Sequence, residues 1–279
     1  MKLRSRLAAA LLSAACAGTL AAAVAAPSVA ATAPDQTSGD SSDASAQSGH
    51  AYPAAFPKGH YSALDRLPDW GGIWYLEFPP KPGVKRERPE LKGKYLAEYD
   101  QWQKQVKATQ GNVPHYASYC RPPGMPGIMG VGQYPVEFLF TPGRVTMHFE
   151  AWMQWRNIFT DGRKHPAADE LDPTFYGNSI GHWQGDTLVV DTIGFKTATA
   201  LGMGMNHSDQ MHIIERIHLV KGDPNTLLDE MTVEDPLALA KPWHSTYTYH
   251  RSRTQNLLEF ICEENNRNPV NAQGQTELE

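Results

Sequence analysis

The stretch Tyr176-Gly-Asn-Ser-Ile-Gly-His-Trp-Gln-Gly-Asp-Thr-Leu-Val-Val-Asp-Thr-Ile-Gly-Phe195 decides the fold of this chain. It predicts two β-strands joined by a tight turn at Gly185, because glycine supplies the positive φ that a hairpin turn needs. The second strand, residues 187–192, is β-branched and apolar, which is typical of a strand buried on at least one face. The first strand is richer in polar and aromatic groups than packing requires. We therefore predict a ligand site on a β scaffold, with these substrate-binding residues: Tyr176, Asn178, His182 and Trp183.

The rest of the domain alternates short apolar segments with turn signals, at a spacing of roughly 8–12 residues that is typical of all-β folds. The pattern predicts a mainly β fold, either a single antiparallel β-barrel of calycin or lipocalin type or a β-sandwich. One amphipathic helix is predicted over residues 89–107. Its single apolar stripe contains Tyr95, Tyr99, Trp102 and Val106. The final strand is predicted over residues 257–262.

The N-terminus has the pattern of a signal peptide over residues 1–33. Lys2, Arg4 and Arg6 precede an Ala/Leu-rich run with small-residue cleavage options. We therefore expect an exported protein, periplasmic or secreted. Export as a lipoprotein through Cys16 is the less favoured alternative, because Ser13 stands where a lipidation signal has an aliphatic residue.

The composition divides the remaining chain into three parts. Residues 34–50 lack large apolar side chains and cannot bury enough surface to offset their ordering entropy, so residues 34–53 are predicted to form a disordered linker. Residues 54–265 are predicted to form one β-barrel-like ligand-binding or catalytic domain. Residues 266–279 form a polar tail.

The charge balance excludes some classes of partner. Without the three basic residues of the signal peptide, 22 basic residues face 30 acidic ones, for a net charge of −8. An acidic domain without a basic run argues against a nucleic acid or an anionic membrane as partner. No stretch after the signal is apolar enough to predict a membrane span. The sequence does not predict an oligomeric state.

Two cysteines remain after signal cleavage, and they flank the fold. In an oxidising compartment Cys120 and Cys262 are expected to form a disulfide, although two buried thiols or a nucleophilic cysteine are alternatives. Prolines and glycines prevent residues 120–135 from forming a regular element. This segment is either a flexible, methionine-bearing lid over a pocket or an ordered loop clamped by Cys120.

Residues 144–159 are predicted to form one long strand with a polar face. His148, Glu150, Trp152 and Arg156 share this face by their spacing. The face is either a solvated exterior or the lining of a cavity, and Trp152 favours the cavity because an isolated exposed Trp is uncommon. In a cavity, His148 and Glu150 would be catalytic, whereas Trp152 and Arg156 would bind substrate.

Two further positions are candidates for proton transfer. Glu215 shares a strand face with Ile213 and Ile217, where an unpaired carboxylate is costly to bury. It therefore forms an ion pair with an arginine or acts as a general acid or base. His207 and Asp209 stand at the entrance of the same strand and form either a proton-transfer pair or a loop turn.

The remaining candidates concern an anion or a metal. Arg163 ends the predicted turn Thr160-Asp-Gly-Arg163, and three roles are open for it. It serves only the turn, binds an anionic group of the substrate, or forms an ion pair with Glu215. A metal held by His182, His207 and Asp209 is a low-ranked alternative, because imidazole and carboxylate suit zinc or iron but no spacing is diagnostic. We expect no cofactor.

Several motifs together resemble those of a widespread family of exported, mostly uncharacterised bacterial proteins. They are Asp69-Trp-Gly-Gly-Ile-Trp74, Thr160-Asp-Gly-Arg163, the central Gly-Asn-Ser-Ile-Gly-His-Trp-Gln-Gly-Asp-Thr-Leu-Val-Val-Asp-Thr motif, Glu215-Arg216 and Thr232-Val-Glu-Asp-Pro236. The resemblance implies export and a β-rich domain, and it implies no activity. Gly72-Ile73-Trp74 also resembles the opening of lipocalin and other calycin barrels, in which the Trp packs across the closed end.

These residues favour an exported, cofactor-independent enzyme, a lyase, isomerase or hydrolase that acts on a small apolar or aromatic molecule. A non-catalytic periplasmic or secreted binding protein with the same aromatic pocket is the alternative, and a metal-dependent enzyme is the second alternative. An enzyme needs at least two ionisable groups that converge. We therefore expect one cavity to receive His148, Glu215 and the His207–Asp209 loop.

Overall fold

The computed structural model describes residues 60–80, 87–113 and 115–262, and its regular structure is mainly β. The strands are β1 (Ile73–Leu76), β2 (Val136–Thr141), β3 (Arg144–Phe149), β4 (Gln154–Phe159), β5 (Asn178–Gln184), β6 (Thr187–Ile193), β7 (Ala200–Gly202), β8 (Met205–Asn206), β9 (His212–Val220), β10 (Asp223–Glu234) and β11 (Trp243–Ser252). The described ranges also contain one α-helix, α1 (Gly93–Ala108), and four 3₁₀ helices: Tyr61–Arg66, Tyr116–Tyr119, Gly127–Gly130 and Ala151–Met153.

The described residues all lie within one compact unit. The predicted signal peptide, the linker, the polar tail and Cys16 lie outside the described residues. No helix of the described ranges is long and apolar enough to cross a membrane.

Nine strands close a barrel in the order β1-β11-β10-β9-β6-β5-β4-β3-β2, and β7 and β8 form a separate hairpin. The prediction of a mainly β barrel with one α-helix is confirmed, and the sandwich alternative is not adopted. The barrel is mixed, because β4 and β5 pair in parallel at Ile158–Ser179 and Phe159–Ile180. The long connection between these strands returns the chain so that both run in the same direction.

The central hairpin forms as the sequence predicts. β5 and β6 are antiparallel, and Gln184 lies opposite Thr187 across a two-residue turn. Gly185 has a φ of 61°, a conformation that is strained for residues with a Cβ. The buried positions of β6 alternate, so Leu188, Val190 and Thr192 point into the barrel.

Trp74 lies in the core, as the Gly-x-Trp opening predicts. Its side chain is fully buried, and its Nε1 donates a hydrogen bond to the Trp70 carbonyl oxygen at 2.9 Å. The guanidinium of Arg251, on β11, lies 4.6 Å from the centroid of the Trp74 ring. The first and last strands of the barrel are therefore joined by side chains as well as by their hydrogen-bond ladder.

The helix begins later than predicted, at Gly93 instead of residue 89. The preceding backbone is extended, because Leu91 pairs with Leu239 and the Lys92 amide donates to the Ala238 carbonyl oxygen. The apolar stripe is the less exposed face of the helix, as predicted. It packs against the β7–β8 hairpin through Trp102, which fits against Gly204.

The prediction of one strand over residues 144–159 is wrong. A turn at Glu150–Met153 separates β3 from β4, and Trp152 and Met153 both have positive φ. The turn changes the alternation, so Arg156 points into the barrel while its neighbour Trp155 is exposed. The predicted strand over residues 257–262 is also wrong, because the Leu258 amide bonds to the Glu150 side chain and not to a strand.

Residues 120–135 form an ordered plug at the end of the barrel where β2 begins. Met125, Ile128 and Met129 of this segment are buried, and Tyr249 of β11 donates a hydrogen bond to the Met129 carbonyl oxygen at 3.1 Å. Cys120 is disulfide-bonded to Cys262, with 5.6 Å between their Cα atoms. The predicted disulfide is confirmed, and the segment is the clamped loop and not a flexible lid.

The disulfide closes a loop with a sequence separation of 142 residues, so it restricts the unfolded chain strongly. We expect reduction, or the double variant Cys120→Ser/Cys262→Ser, to lower the free energy of unfolding by about 3–5 kcal/mol. Urea unfolding with and without dithiothreitol measures this change. The double variant should no longer respond to the reductant, and equal stability of the oxidised and reduced wild type would contradict the prediction.

Candidate functional site

A buried ion pair occupies the interior of the barrel. Arg156 of β4 and Glu215 of β9 are 1% and 0% exposed, and their side chains form two contacts. Arg156 Nη1 donates to Glu215 Oε1 at 2.8 Å, and Nη2 donates to Oε2 at 2.5 Å. This confirms the ion-pair interpretation of Glu215, and the partner is Arg156 and not Arg163.

Two hydroxyl groups complete the surroundings of the guanidinium. Arg156 Nε donates to Ser179 Oγ at 3.0 Å, and Nη2 also donates to Thr192 Oγ1 at 2.8 Å. Burial acts to lower the pKa of Arg156, but the charge and hydrogen bonds of Glu215 outweigh burial and raise it. The pair is therefore charged, satisfied and closed to solvent, which fits a structural role.

Asp229 adds a second carboxylate to this interior. It lies on β10, is fully buried, and neither of its carboxyl oxygens has a hydrogen-bond partner among the described residues. Burial, and then the charge of Glu215, raise the pKa of Asp229 well above its usual range, although Arg156 acts in the opposite sense. One guanidinium thus faces two carboxyl groups, and the raised pKa of Asp229 favours its neutral form.

A second cluster of ionisable groups lies on the outer face of the barrel. His165 Nε2 and His212 Nε2 both approach Asp191 Oδ1, at 3.2 and 2.8 Å. Asn178 Oδ1 lies 2.7 Å from His165 Nδ1, and Glu234 Oε2 lies 3.6 Å from His212 Nδ1. The network joins β5, β6, β9 and β10, and all ring nitrogens in it face other members of the network.

The structure does not bring the predicted catalytic residues into one cavity. His148 lies on the outer face of β3, opposite the exposed Trp155, whereas Glu215 lies inside. Glu150 is buried and holds the Leu258 amide at 2.7 Å. Their catalytic roles stay predictions, but the barrel wall separates His148 from Glu215.

The His207–Asp209 pair is also divided. His207 is buried, and its Nε2 lies 2.7 Å from Thr199 Oγ1, while Asp209 is exposed. Burial lowers the pKa of His207, although the Ser208 carbonyl oxygen opposes this effect. Ser208 donates to Asp235 at 2.7 Å through both its amide and its hydroxyl, which makes this segment a structured corner.

The predicted substrate-binding residues occupy different parts of the surface and core. Asn178 belongs to the outer network, and the exposed His182 bonds to Gln184. Arg163 pairs with Asp161 and lies 3.7 Å from the centroid of the Phe159 ring. Their binding roles stay predictions, and Asn178, His182 and Arg163 line neither of the two cavities described below.

The three predicted aromatic residues make three separate ring contacts. Trp152 packs against Phe260 with ring centroids 5.4 Å apart, in the plugged half of the molecule. Tyr176 is buried and stacks on Phe149, and burial raises its pKa. Trp183 packs against Trp70 at the opposite end of the barrel, with centroids 5.4 Å apart. Of these three residues, Trp183 contacts Trp70, which lines a cavity described below.

That cavity lies at the end of the barrel where β1 begins, and we call it the Trp70 cavity. Its volume is about 370 Å³, and it lies between the first 3₁₀ helix and β2. Its lining consists of Leu64, Asp65, Leu67, Pro68, Asp69, Trp70, Gly71, Phe138 and Phe140. A mostly apolar lining with few polar groups, at a volume of roughly 300–1,000 Å³, is typical of small-molecule sites.

Aromatic rings form the floor of the Trp70 cavity. Trp70 packs edge-on against Phe138 with ring centroids 5.1 Å apart, and Phe140 lies 5.5 Å from it. Asp69 holds the adjoining turn, because it accepts from the Gly71 amide at 2.9 Å and pairs with Arg253 at 2.5 Å. These contacts, the Gly71 hydrogen bond first, lower the pKa of Asp69. The floor is therefore preformed.

A smaller cavity, the Tyr247 cavity, lies at the plugged end. Its volume is about 210 Å³. Its lining includes Tyr116, Tyr247, Met203 and residues of the plug. It lies below the roughly 300 Å³ that small-molecule sites usually have. The Trp70 cavity is therefore the better candidate site.

No cluster of three or more His, Cys, Asp or Glu residues in the described ranges is arranged to hold a metal ion. The low-ranked metal set is not assembled, because His182 bonds to Gln184 near the β5–β6 turn while His207 is buried beside Thr199. The expectation that the protein uses no cofactor stays a prediction.

Several of these groups were not predicted from the sequence, and the signals that they leave in it differ. Asp229 alternates with Leu227 and Met231 on one strand face, the same signal that identified Glu215. Trp70, Phe138 and Phe140 look like ordinary core residues in the sequence. The outer network combines three separate segments of the chain, which contribute His165, Asp191 and His212. No spacing in the sequence predicts that these residues are in contact.

Comparison with known proteins adds nothing to this geometry. No model of a known protein family matches the chain, and no curated protein matches its sequence. The family of exported β-rich proteins that the motifs resemble therefore stays a prediction.

Because Arg156 and Glu215 form a buried ion pair, we expect replacement of one partner to destabilise the fold more than replacement of both. Arg156→Met leaves the Glu215 carboxylate buried without a counter-charge, so we expect the free energy of unfolding at pH 7 to fall by about 3–5 kcal/mol. Arg156→Met/Glu215→Met removes both charges and should recover much of this loss. Urea unfolding of the two variants measures the difference, and a double variant no more stable than the single one would refute the prediction.

Asp229 predicts a dependence of stability on pH. Its raised pKa means that the folded state keeps a proton that the unfolded state releases above the ordinary Asp value of 3.8, so stability falls as pH rises. Asp229→Asn cannot titrate. Its stability relative to the wild type should therefore increase with pH above that value, by up to about 1.4 kcal/mol per pH unit.

Urea unfolding between pH 4 and pH 8 checks this prediction. Asp186→Asn, at an exposed carboxylate in the β5–β6 turn, is the matched control, and its stability difference from the wild type should change less with pH. A constant difference between Asp229→Asn and the wild type over this range would show that Asp229 is not held neutral.

Proposed function

We propose that this chain is an exported, non-catalytic binding protein for a small apolar or aromatic molecule, which it holds in the Trp70 cavity. The single observation that carries the proposal is the cavity of about 370 Å³ on a floor of packed aromatic rings at one end of a closed barrel. A rigid apolar floor of this kind binds ligands at a low ordering cost, because its side chains are already fixed.

Binding is favoured over acid–base catalysis by the positions of the ionisable groups. A catalyst needs two such groups within reach of one substrate. Glu215 and Arg156 satisfy each other inside the barrel, and His148 lies on the outer face. The two carboxylates that line the Trp70 cavity, Asp65 and Asp69, lie on its exposed rim.

Export is the expected setting for this function. The Cys120–Cys262 disulfide is compatible with an oxidising compartment outside the cytoplasm. The N-terminal signal pattern supports the same proposal, with a periplasmic or secreted destination. A barrel that binds apolar molecules there would serve to carry or to sequester them.

Filling the Trp70 cavity should remove binding. Leu64 lines this cavity and is partly buried, so Leu64→Trp places a large ring in the ligand's space. We expect N-phenyl-1-naphthylamine, a neutral fluorescent probe, to bind the wild type and to bind Leu64→Trp at least about tenfold more weakly, a difference of 1.4 kcal/mol. Fluorescence titration measures both dissociation constants.

Met203→Trp is the matched control, because Met203 lines the Tyr247 cavity and is largely exposed. This variant should bind the probe like the wild type. Absence of probe binding by the wild type, or equal binding by Leu64→Trp, would overturn the proposal. Loss of binding only in Met203→Trp would instead move the site to the plugged end of the barrel.

A further inference from the structure

We propose that the outer face of strands β2, β3 and β4 binds a neutral oligosaccharide, with the ring of Trp155 as the surface on which one sugar stacks. The site lies on the outside of the barrel wall and shares no residue with the lining of the Trp70 cavity, so it is independent of the proposed function. The sugars it suits are β-linked glucose or N-acetylglucosamine units, whose substituents are equatorial and leave C–H bonds on both faces of the ring.

The indole of Trp155 is an exposed ring that the fold leaves uncovered. Trp155 lies on β4 and is 63% exposed, and no ring or cation of the described residues packs on it. Phe159, on the same face of β4, is covered, because the guanidinium of Arg163 lies 3.7 Å from the centroid of its ring. Single exposed hydrophobic residues are common, so the side chains around Trp155 decide what it binds.

Three polar side chains lie beside the ring on this face. His148 is the partner of Trp155 across β3 and β4, and Thr146 is the partner of Asn157 in the same register. Directly opposite residues, and residues two positions apart on one strand, share a face of the sheet. Trp155, His148, Thr146 and Asn157 therefore form a block on the outer face, which we call the Trp155 block.

The polar groups of the Trp155 block have unused hydrogen-bonding capacity. Thr146 Oγ1 donates to Asn157 Oδ1 at 2.8 Å, which holds the carboxamide and leaves its NH2 group as a donor. His148 is partly buried, and its ring nitrogens have no hydrogen-bond partner within the residues that the structure describes. A carboxamide donor and an imidazole that donates or accepts therefore lie beside the indole.

A pyranose of the gluco type has the two surfaces that this block needs. Its C–H face is apolar and carries the partial positive charge of the hydrogens, so it is attracted to the negative face of an indole ring. The hydroxyl groups at its edge each donate and accept hydrogen bonds, and they match the carboxamide of Asn157 and the imidazole of His148. One sugar would therefore cover the Trp155 ring and bond to both polar groups.

The Trp155 block suits a protein partner or an anionic polymer less well. Leu139, the other exposed hydrophobic side chain on this sheet face, is separated from Trp155 by the β3 row of Thr146 and His148. The exposed apolar surface on this face is therefore one ring, and not the continuous apolar core of a protein interface. The block contains no Lys or Arg, and Glu137 lies opposite His148, so a polyanion gains no charge pairing here.

Titration with cellohexaose and chitohexaose tests the proposal. Isothermal titration calorimetry measures the dissociation constant of each sugar, and we expect saturable binding of at least one of them to the wild type. Trp155→Ala should weaken that binding by at least about tenfold, because the covered ring supplies most of the apolar contact. Trp155→Tyr keeps a ring with an apolar face, so it should lose less affinity than Trp155→Ala.

Two further variants separate the site from its surroundings. Asn157→Ala removes one hydrogen-bonding group of the Trp155 block and should weaken binding by about two- to tenfold. Tyr61→Ala is the matched control, because Tyr61 is another exposed aromatic residue and lies on the first 3₁₀ helix, outside the block. It should bind the sugar with the affinity of the wild type. Thermal unfolding establishes that each variant is folded at the temperature of the titration.

Three results of the titration decide against the proposal. They are failure of both sugars to bind the wild type, equal binding by Trp155→Ala and the wild type, and equal weakening by Trp155→Ala and Tyr61→Ala. The last result means that the sugar adheres to any exposed ring. Sedimentation equilibrium adds a fourth contrary outcome: a dimer of the wild type that Trp155→Ala dissociates assigns this face to a second copy of the chain.

Discussion

The buried pair of Arg156 and Glu215 is the interaction on which the rest of the barrel depends. The parallel contact between β4 and β5 contains only two residue pairs, as few as the contact between β1 and β2, so its backbone pairing is short. Arg156 spans this joint, because it bonds to Ser179 of β5, Thr192 of β6 and Glu215 of β9. The cost of burying a charge is offset here by the ion pair and hydrogen bonds of the guanidinium, and burial beside this pair raises the pKa of Asp229.

The two ends of the barrel have different uses. At one end the chain closes the barrel with residues 120–135, and the Cys120–Cys262 disulfide fastens the plug. At the other end Trp70 covers the mouth without filling the space above it, and the first 3₁₀ helix forms the outer wall. The interior of the barrel is packed, and the cavity at the plugged end is the smaller of the two described, which is why we place binding at the other end.

Much of the local structure could be predicted, because it depends on neighbours in the chain. The hairpin at Gly185, the apolar stripe of the helix and the buried carboxylate Glu215 all follow from periodicity and turn chemistry. The partner of Glu215 could not be chosen in this way. Trp152 and Met153 adopt positive φ in a turn that contains no glycine or proline, so the sequence does not predict this turn. The turn moves Arg156 from the strand face of His148 to the interior of the barrel.

By itself, therefore, the sequence determined the β class, the central hairpin and the need of a buried carboxylate for a partner. It favoured a disulfide between Cys120 and Cys262, and the structure decided for this pairing. Tertiary structure alone decided which side chains meet: the Arg156–Glu215 pair, the His165–Asp191–His212 network and the aromatic floor beneath the Trp70 cavity. The physical reason is that periodicity reports the face on which a side chain lies, whereas contacts between distant segments depend on how the sheet closes and on where each connection returns the chain.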